Sequence, residues 1–226
     1  MMRFLFSLIF FGMLSAILNT ACSTTTMTSD WKDREYQRKP LKIMVIGVTK
    51  KPENKRIFED EFVRQLKTWG TDAVASYTVI PDEMQGDHAV IAAKMKEEGA
   101  DAVLISRLAN KKTVYASVPE KGIHPPYFYG NWREYYGYGS KVVYTSEYTA
   151  EDEYALMEIN LYNARNDKLI WTALSETDFL GSDRNQIISY IGVMVKAMVD
   201  RKLLQWELWR KHSEAGYIGN RNPMSQ

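Results

Sequence analysis

Chemistry in this chain would have to come from three histidines, one cysteine and 28 acidic side chains. His88, His124 and His212 lie far apart in sequence, and none has a second histidine at ligand spacing, so no metal site is expected. There is no Gly-x-Ser-x-Gly elbow, no phosphate-binding loop ending in Gly-Lys-Ser/Thr, and no His-Glu-x-x-His helix. Paired carboxylates, the groups that glycoside hydrolysis requires, occur as Glu59-Asp60-Glu61 and Glu151-Asp152-Glu153. The first triplet falls on the outer side of a helix with an assigned apolar face, and the second lies between strands. Both are therefore expected to be solvated surface. No catalytic residue and no cofactor is expected, with an enzyme acting on cell-wall glycans as the rival reading.

The cysteine is the exception. Arg3 precedes an apolar run of 15 residues, from Phe4 to Leu18, broken only by Ser7, Gly12 and Ser15. A short basic start followed by such a run is the pattern of an export signal. A stable membrane span usually needs roughly 20 residues, so a permanent anchor is the weaker reading. The run ends in Leu18-Asn19-Thr20-Ala21-Cys22-Ser23, which sets the lone cysteine directly after a small residue. A single cysteine makes no internal disulfide, and at this place lipid attachment accounts for it best. At Ala21 and Cys22 the sequence resembles the lipobox of bacterial lipoproteins, departing from it at Asn19, where that motif carries an apolar residue. The resemblance implies cleavage before Cys22 and attachment of lipid, palmitate included, to that cysteine. Two or more acyl chains hold a soluble domain firmly to a bilayer. Ser23 rather than Asp after the cysteine implies, by the sorting rule of such proteins, a periplasm-facing lipoprotein of the outer membrane.

Removing residues 1–21 takes away Arg3 alone, so the 29 basic side chains fall to 28, against 28 acidic ones. A neutral chain offers no electrostatic reason for nucleic acid as a partner, because that binding depends on clustered Lys and Arg.

One stretch is anomalous in composition. Residues 123–140, IHPPYFYGNWREYYGYGS, place Tyr127, Phe128, Tyr129, Trp132, Tyr135, Tyr136 and Tyr138 among glycines and prolines. Tyrosine and tryptophan combine large rigid area with a polar tip, which suits protein interfaces, and their rings also stack on sugars. The segment is thus a candidate recognition loop for an envelope protein, with peptidoglycan or membrane contact as alternatives. Equally, it could fold back over the sheet and fill its own pocket, or stay a disordered loop.

The elements that must position these groups follow from periodicity. Residues 22–40 are polar and aperiodic and read as a flexible tether, with folding expected to start near Leu41. KIMVIGV at 42–48 is a strand buried on both faces. Pro52 suits the first turn of a helix carrying Ile57, Phe58, Phe62, Leu66 and Trp69 at helical spacing, stopped by Gly70. A strand over 71–80, a helix over 87–98 with Ile91 and Met95 inward, and a strand over 102–108 complete an alternating half. Strands are expected at 113–118 and 141–149. Those at 153–163 and 168–177, around the turn Arg165-Asn166-Asp167, form an antiparallel hairpin. In it Ala155, Met157, Ile159 and Leu161 share one face, as do Leu169, Trp171 and Ala173. A helix over 183–204 closes the domain, and a tail with Trp206 and Trp209 runs from 205 to 226. The fold class is therefore α/β (α+β): a mixed sheet built strand-helix-strand-helix-strand, then antiparallel strands and a C-terminal helix, over residues 41–204.

Three stretches carry a family resemblance: KIMVIGV before a helix, Gly99-Ala100-Asp101-Ala102-Val103-Leu104-Ile105 after the next one, and the hairpin from Ile159 to Trp171. They resemble a group of small bacterial periplasmic lipoproteins, mostly of unknown function, with an α/β domain similar to the amino-terminal domain of TolB. The group includes the curli-secretion lipoprotein and LpoB. The resemblance implies a binding or assembly module with no active site to transfer onto numbered positions. A ring-forming structural lipoprotein is a further alternative.

Overall fold

The computed structural model describes residues 25–109, 131–137, 154–178 and 183–205. Its strands are β1 (Thr25–Lys32), β2 (Lys42–Val48), β3 (Asp72–Ala75), β4 (Ala102–Ala109), β5 (Tyr154–Asn163) and β6 (Leu169–Asp178). Its helices are α1 (Pro52–Thr68), α2 (His88–Glu97), α3 (residues 132–137) and α4 (Asp183–Asp200). The strands form one mixed sheet in the order β1-β6-β5-β4-β2-β3. β2 lies parallel to β3 and β4, while β4-β5, β5-β6 and β6-β1 are antiparallel. The α/β class, the hairpin and the C-terminal helix stand as read from the sequence.

Strand alternation divides the core into two layers. Ile43 and Val45 of β2 with Ala102 and Leu104 of β4 face α1 and α4, where Phe62, Leu66, Ile191, Met194 and Met198 meet them. Met44, Ile46 and Val48 with Val103 and Ile105 face the opposite way, onto Ile91 and Met95 of α2 and the aromatic residues of α3. Burying one such side chain fully stabilises the fold by about 1.5–3 kcal/mol, which is why these strands read as continuous apolar runs. Tyr190 pins α4 to the sheet, its hydroxyl lying 3.0 Å from Ser106 Oγ. Pro52 opens α1, the Asp87 carboxylate accepts from Ala89 N at 2.8 Å to cap α2, and Gly70 and Gly99 take positive φ after the two helices. Among the described residues, no helix is long and apolar enough to cross a membrane.

Several expectations are corrected. Residues 25–32, read as part of the tether, form β1 against β6, with Thr25 facing Thr177 and Lys32 facing Trp171. An edge strand needs hydrogen bonds from only one neighbour and can stay polar on its open side, so it lacks the apolar alternation that would have marked it. The second strand stops at Ala75 rather than 80, giving way to 3₁₀ turns at Ser76–Thr78 and Asp82–Met84. Its backbone is diverted because Tyr77 N donates to Glu59 Oε2 at 3.0 Å and Thr78 Oγ1 to Ala75 O at 2.7 Å. Leu169 packs in the layer opposite to Trp171, because a bulge pairs Leu161 with Trp171 but Tyr162 with Leu169. α4 ends at Asp200, yet Leu203 and Leu204 remain fully buried. Gln205, expected in the tail, is tied to the domain by its N–H donating to Thr71 Oγ1 at 2.9 Å. The expected strands at 113–118 and 141–149, Trp206 and Trp209 lie outside the described residues.

Candidate functional site

The aromatic segment is where the sequence placed its candidate binding surface, and three of its seven ring residues are described. Trp132, Tyr135 and Tyr136 are not on a loop but on α3, and all three are buried. Asn131 starts that helix, its side-chain oxygen accepting from Arg133 N at 2.9 Å. With a turn 3.6 residues long, Trp132, Tyr135 and Tyr136 share one face, which lies on the layer formed by Val103, Ile105 and Tyr162. These three rings are core, so they offer no exposed face to a partner. Cys22, Tyr127, Phe128, Tyr129 and Tyr138 lie outside the described residues.

Polar contacts hold α3 at both ends. Trp132 Nε1 donates to Asp167 Oδ1 at 2.6 Å, and Arg133 closes an ion pair with the same carboxylate while stacking over the Trp132 ring at 4.8 Å. Asp167 sits in the β5-β6 turn with φ of 59°, a left-handed conformation that aspartate tolerates better than most residues. Tyr136 donates its hydroxyl to Gln85 O at 2.5 Å. His88 meets Trp132 and Tyr136 edge-on, at 6.0 and 5.8 Å between ring centres. Burial lowers the His88 pKa, and the nearby Arg133 charge lowers it further against the pull of Asp87.

Beneath α3 lies a polar group that sequence reasoning missed. Arg107 of β4 and Glu158 of β5 face each other in register, with NH2 of one 2.5 Å from Oε2 of the other, and both are sealed from solvent. Arg107 Nε donates to Tyr135 Oη at 3.2 Å, so the helix covers the pair with a phenol. Burial pushes the Glu158 carboxyl up to about 7, opposed by the Arg107 charge and the Asn160 amide. Burial also raises Tyr135 and Tyr162 above the usual phenol range. Among the described residues, the Asn160 side-chain amide and the Tyr162 hydroxyl are buried beside them without a hydrogen-bond partner of normal geometry. The available signal was the charge at Arg107 inside the apolar strand AVLISRLA, and the alternation Glu158, Asn160, Tyr162 opposite the apolar set of β5.

A second buried ion pair lies on the α1 side. Glu59, read from the sequence as solvated surface, is fully buried. Its carboxylate accepts from Gly47 N at 2.9 Å, Ser76 Oγ at 2.8 Å and Tyr77 N at 3.0 Å, and pairs with Lys55. Lys55 Nζ also donates to Ser76 Oγ at 2.9 Å and Gly47 O at 3.3 Å. These contacts clamp α1 to the ends of β2 and β3. Asp60 is exposed and accepts from the Tyr77 hydroxyl, while Glu61 is half-buried and pairs with Arg64. Among the described residues, no group of three His, Cys, Asp or Glu side chains could hold a metal ion.

No protein-family model matches the chain, and no curated protein does. Among solved structures it is similar to the PelC dodecamer from Paraburkholderia phytofirmans, at 12% identity and a TM-score of 0.41, over 77% of this chain and 94% of that one. A point variant of the same dodecamer gives 13% identity and a TM-score of 0.38 over the same shares. Neither likeness assigns the chain to a family.

Proposed function

We propose that this protein is an exported lipoprotein, held by lipid on Cys22 to the periplasmic side of the outer membrane, and that it acts as a non-enzymatic binding or assembly factor. The observation that carries the non-enzymatic part is the use made of its buried acids. Among the described residues the buried carboxylates are Glu59 and Glu158. Each is engaged by its own cation, Lys55 or Arg107, and they lie on opposite sides of the sheet. A glycosidase would need two carboxyl groups facing one cleft roughly 5–10 Å apart. The anchoring part rests on the export signal and on the place of Cys22.

Recognition falls to the aromatic residues that flank α3 in sequence, Tyr127, Phe128, Tyr129 and Tyr138, because Trp132, Tyr135 and Tyr136 are spent on docking that helix. Deleting residues 123–140 would strip the core, so the test is substitution of those four by alanine with α3 left intact. The acylated protein and this variant are used to recover partners from solubilised envelope, with folding checked by circular dichroism. Loss of a defined envelope protein from a folded variant is the expected result. Equal recovery by both forms, or hydrolysis of purified peptidoglycan by the native protein, would overturn the reading.

A further inference from the structure

We infer that the pole of the sheet at which β1 begins lies directly against the bilayer, as a surface apposed to its lipid headgroups. This rests on the reading of Cys22 as the acylated residue. β1 starts at Thr25, which is 5% exposed and whose hydroxyl lies 3.0 Å from that of Thr177 across the strand pair. Only Ser23 and Thr24 stand between Cys22 and that fixed point. Three residue steps reach about 10–11 Å even when fully extended. An acylated cysteine sits at headgroup level, so Thr25 stays within that distance of the surface. A flexible tether ending near residue 40 would instead let the domain roam by several times as much.

Strand register identifies what shares this pole. Thr25 faces Thr177 and Thr177 faces Ala155, so β1 and β5 begin where β6 ends. Leu156 faces Ala109, and Arg107 faces Val48, so β4 and β2 end there too. β2 turns into α1 at Pro52, and α4 starts five residues after β6 ends. The loop and helix starts at this pole expose Lys50, Lys51 and Arg184 beside Glu53, and Asp178 and Asp183 end β6 and start α4 there, so the short link to Cys22 rather than net charge sets the contact. The opposite pole holds the β5-β6 turn with Arg165 exposed, a strand length of roughly 30 Å away.

The native protein contains one cysteine, and transfer of a diacylglyceryl group onto its sulfur would convert the thiol to a thioether, so an introduced cysteine can be labelled alone. The full acylated protein is reconstituted into phosphatidylethanolamine–phosphatidylglycerol vesicles carrying headgroup spin labels. A fluorophore is placed in turn at Lys51→Cys, Arg184→Cys and Arg165→Cys. Quenching at Lys51 and Arg184 should exceed that at Arg165 severalfold, and inserting about 20 Gly/Ser residues between Ser23 and Thr24 should remove the difference. Equal quenching at the three sites in protein whose acylation is confirmed by mass overturns the proposal alone, as does a difference that survives the insertion. An unmodified Cys22 overturns the lipoprotein reading and this inference together.

Discussion

Arg107 and Glu158 stand opposite each other on neighbouring strands and close a 2.5 Å ion pair from which water is excluded. Their environment makes the pair sensitive to loss of one member and tolerant of loss of both. Above pH 7, where Glu158 is ionised, Glu158→Leu leaves Arg107 charged and buried without its carboxylate and should cost about 3–5 kcal/mol in urea unfolding, while Arg107→Met combined with Glu158→Leu should recover most of it. A double variant as unstable as the single one would show that Arg107 is held by other contacts.

The same carboxyl makes stability depend on pH. Burial pushes Glu158 from an ordinary 4.5 up to about 7, so between those values the folded chain binds more protons than the unfolded one. Stability should therefore fall as pH rises from about 4.5 to about 7 and level off above. Glu158→Gln should flatten this slope. Urea midpoints at several pH values check it, and an unchanged slope in the variant would assign the effect to other groups.

Trp132 ties α3 to the hairpin turn. Trp132→Ala should cost about 3–5 kcal/mol and abolish much of the near-ultraviolet circular dichroism. Asp167→Asn keeps an acceptor and a residue suited to positive φ, so it should cost less than Asp167→Ala. Equal losses for the two would mean that neither the hydrogen bond to Trp132 nor the backbone conformation matters.

On the other side of the sheet, Glu59→Ala would leave Lys55 buried without its partner and free the N–H groups of Gly47 and Tyr77, at about 3–5 kcal/mol. Gly47→Ala would set a methyl 2.9 Å from Phe58 Cδ1 and should cost about 1–3 kcal/mol through overpacking. Thermal melts read both, and a Gly47→Ala midpoint equal to the native one would show that Phe58 can move aside.

β1 gives the sharpest contrast with a tether. A chain beginning at residue 41 loses the strand paired to β6 and the fork between Arg201 and Asp30, at 2.5 and 2.6 Å. The exposed β6 edge should aggregate, visible by light scattering and size-exclusion chromatography. A monomer of native stability would return residues 25–32 to the status of linker.

Legibility in the sequence followed the range of the interaction. α1, α2, the run in β2 and the hairpin turn all announced themselves, because a period of 3.6 or a buried run is written within a dozen consecutive residues. The exchange of faces at Leu169 did not, since a bulge leaves composition unchanged and alters only the count of residues on one side of a ladder. The aromatic stretch was conspicuous by its composition, but composition does not separate rings that meet a partner from rings that meet their own core. Glu59 was misplaced for a related reason: a carboxylate flanked by Asp60 and Glu61 reads as surface until the N–H groups of Gly47 and Tyr77 are seen to converge on it.

By itself the sequence determined the near-neutral charge and the alternating α/β elements, the latter written in residues close together in the chain. Only the tertiary structure decided that polar residues 25–32 complete the sheet, that Trp132, Tyr135 and Tyr136 turn inward, and that Arg107 finds Glu158. Those pairings join residues as far as 152 positions apart, and their stability comes from burial and the exclusion of water. Such contacts exist only after the chain has folded, so no local pattern has to record them.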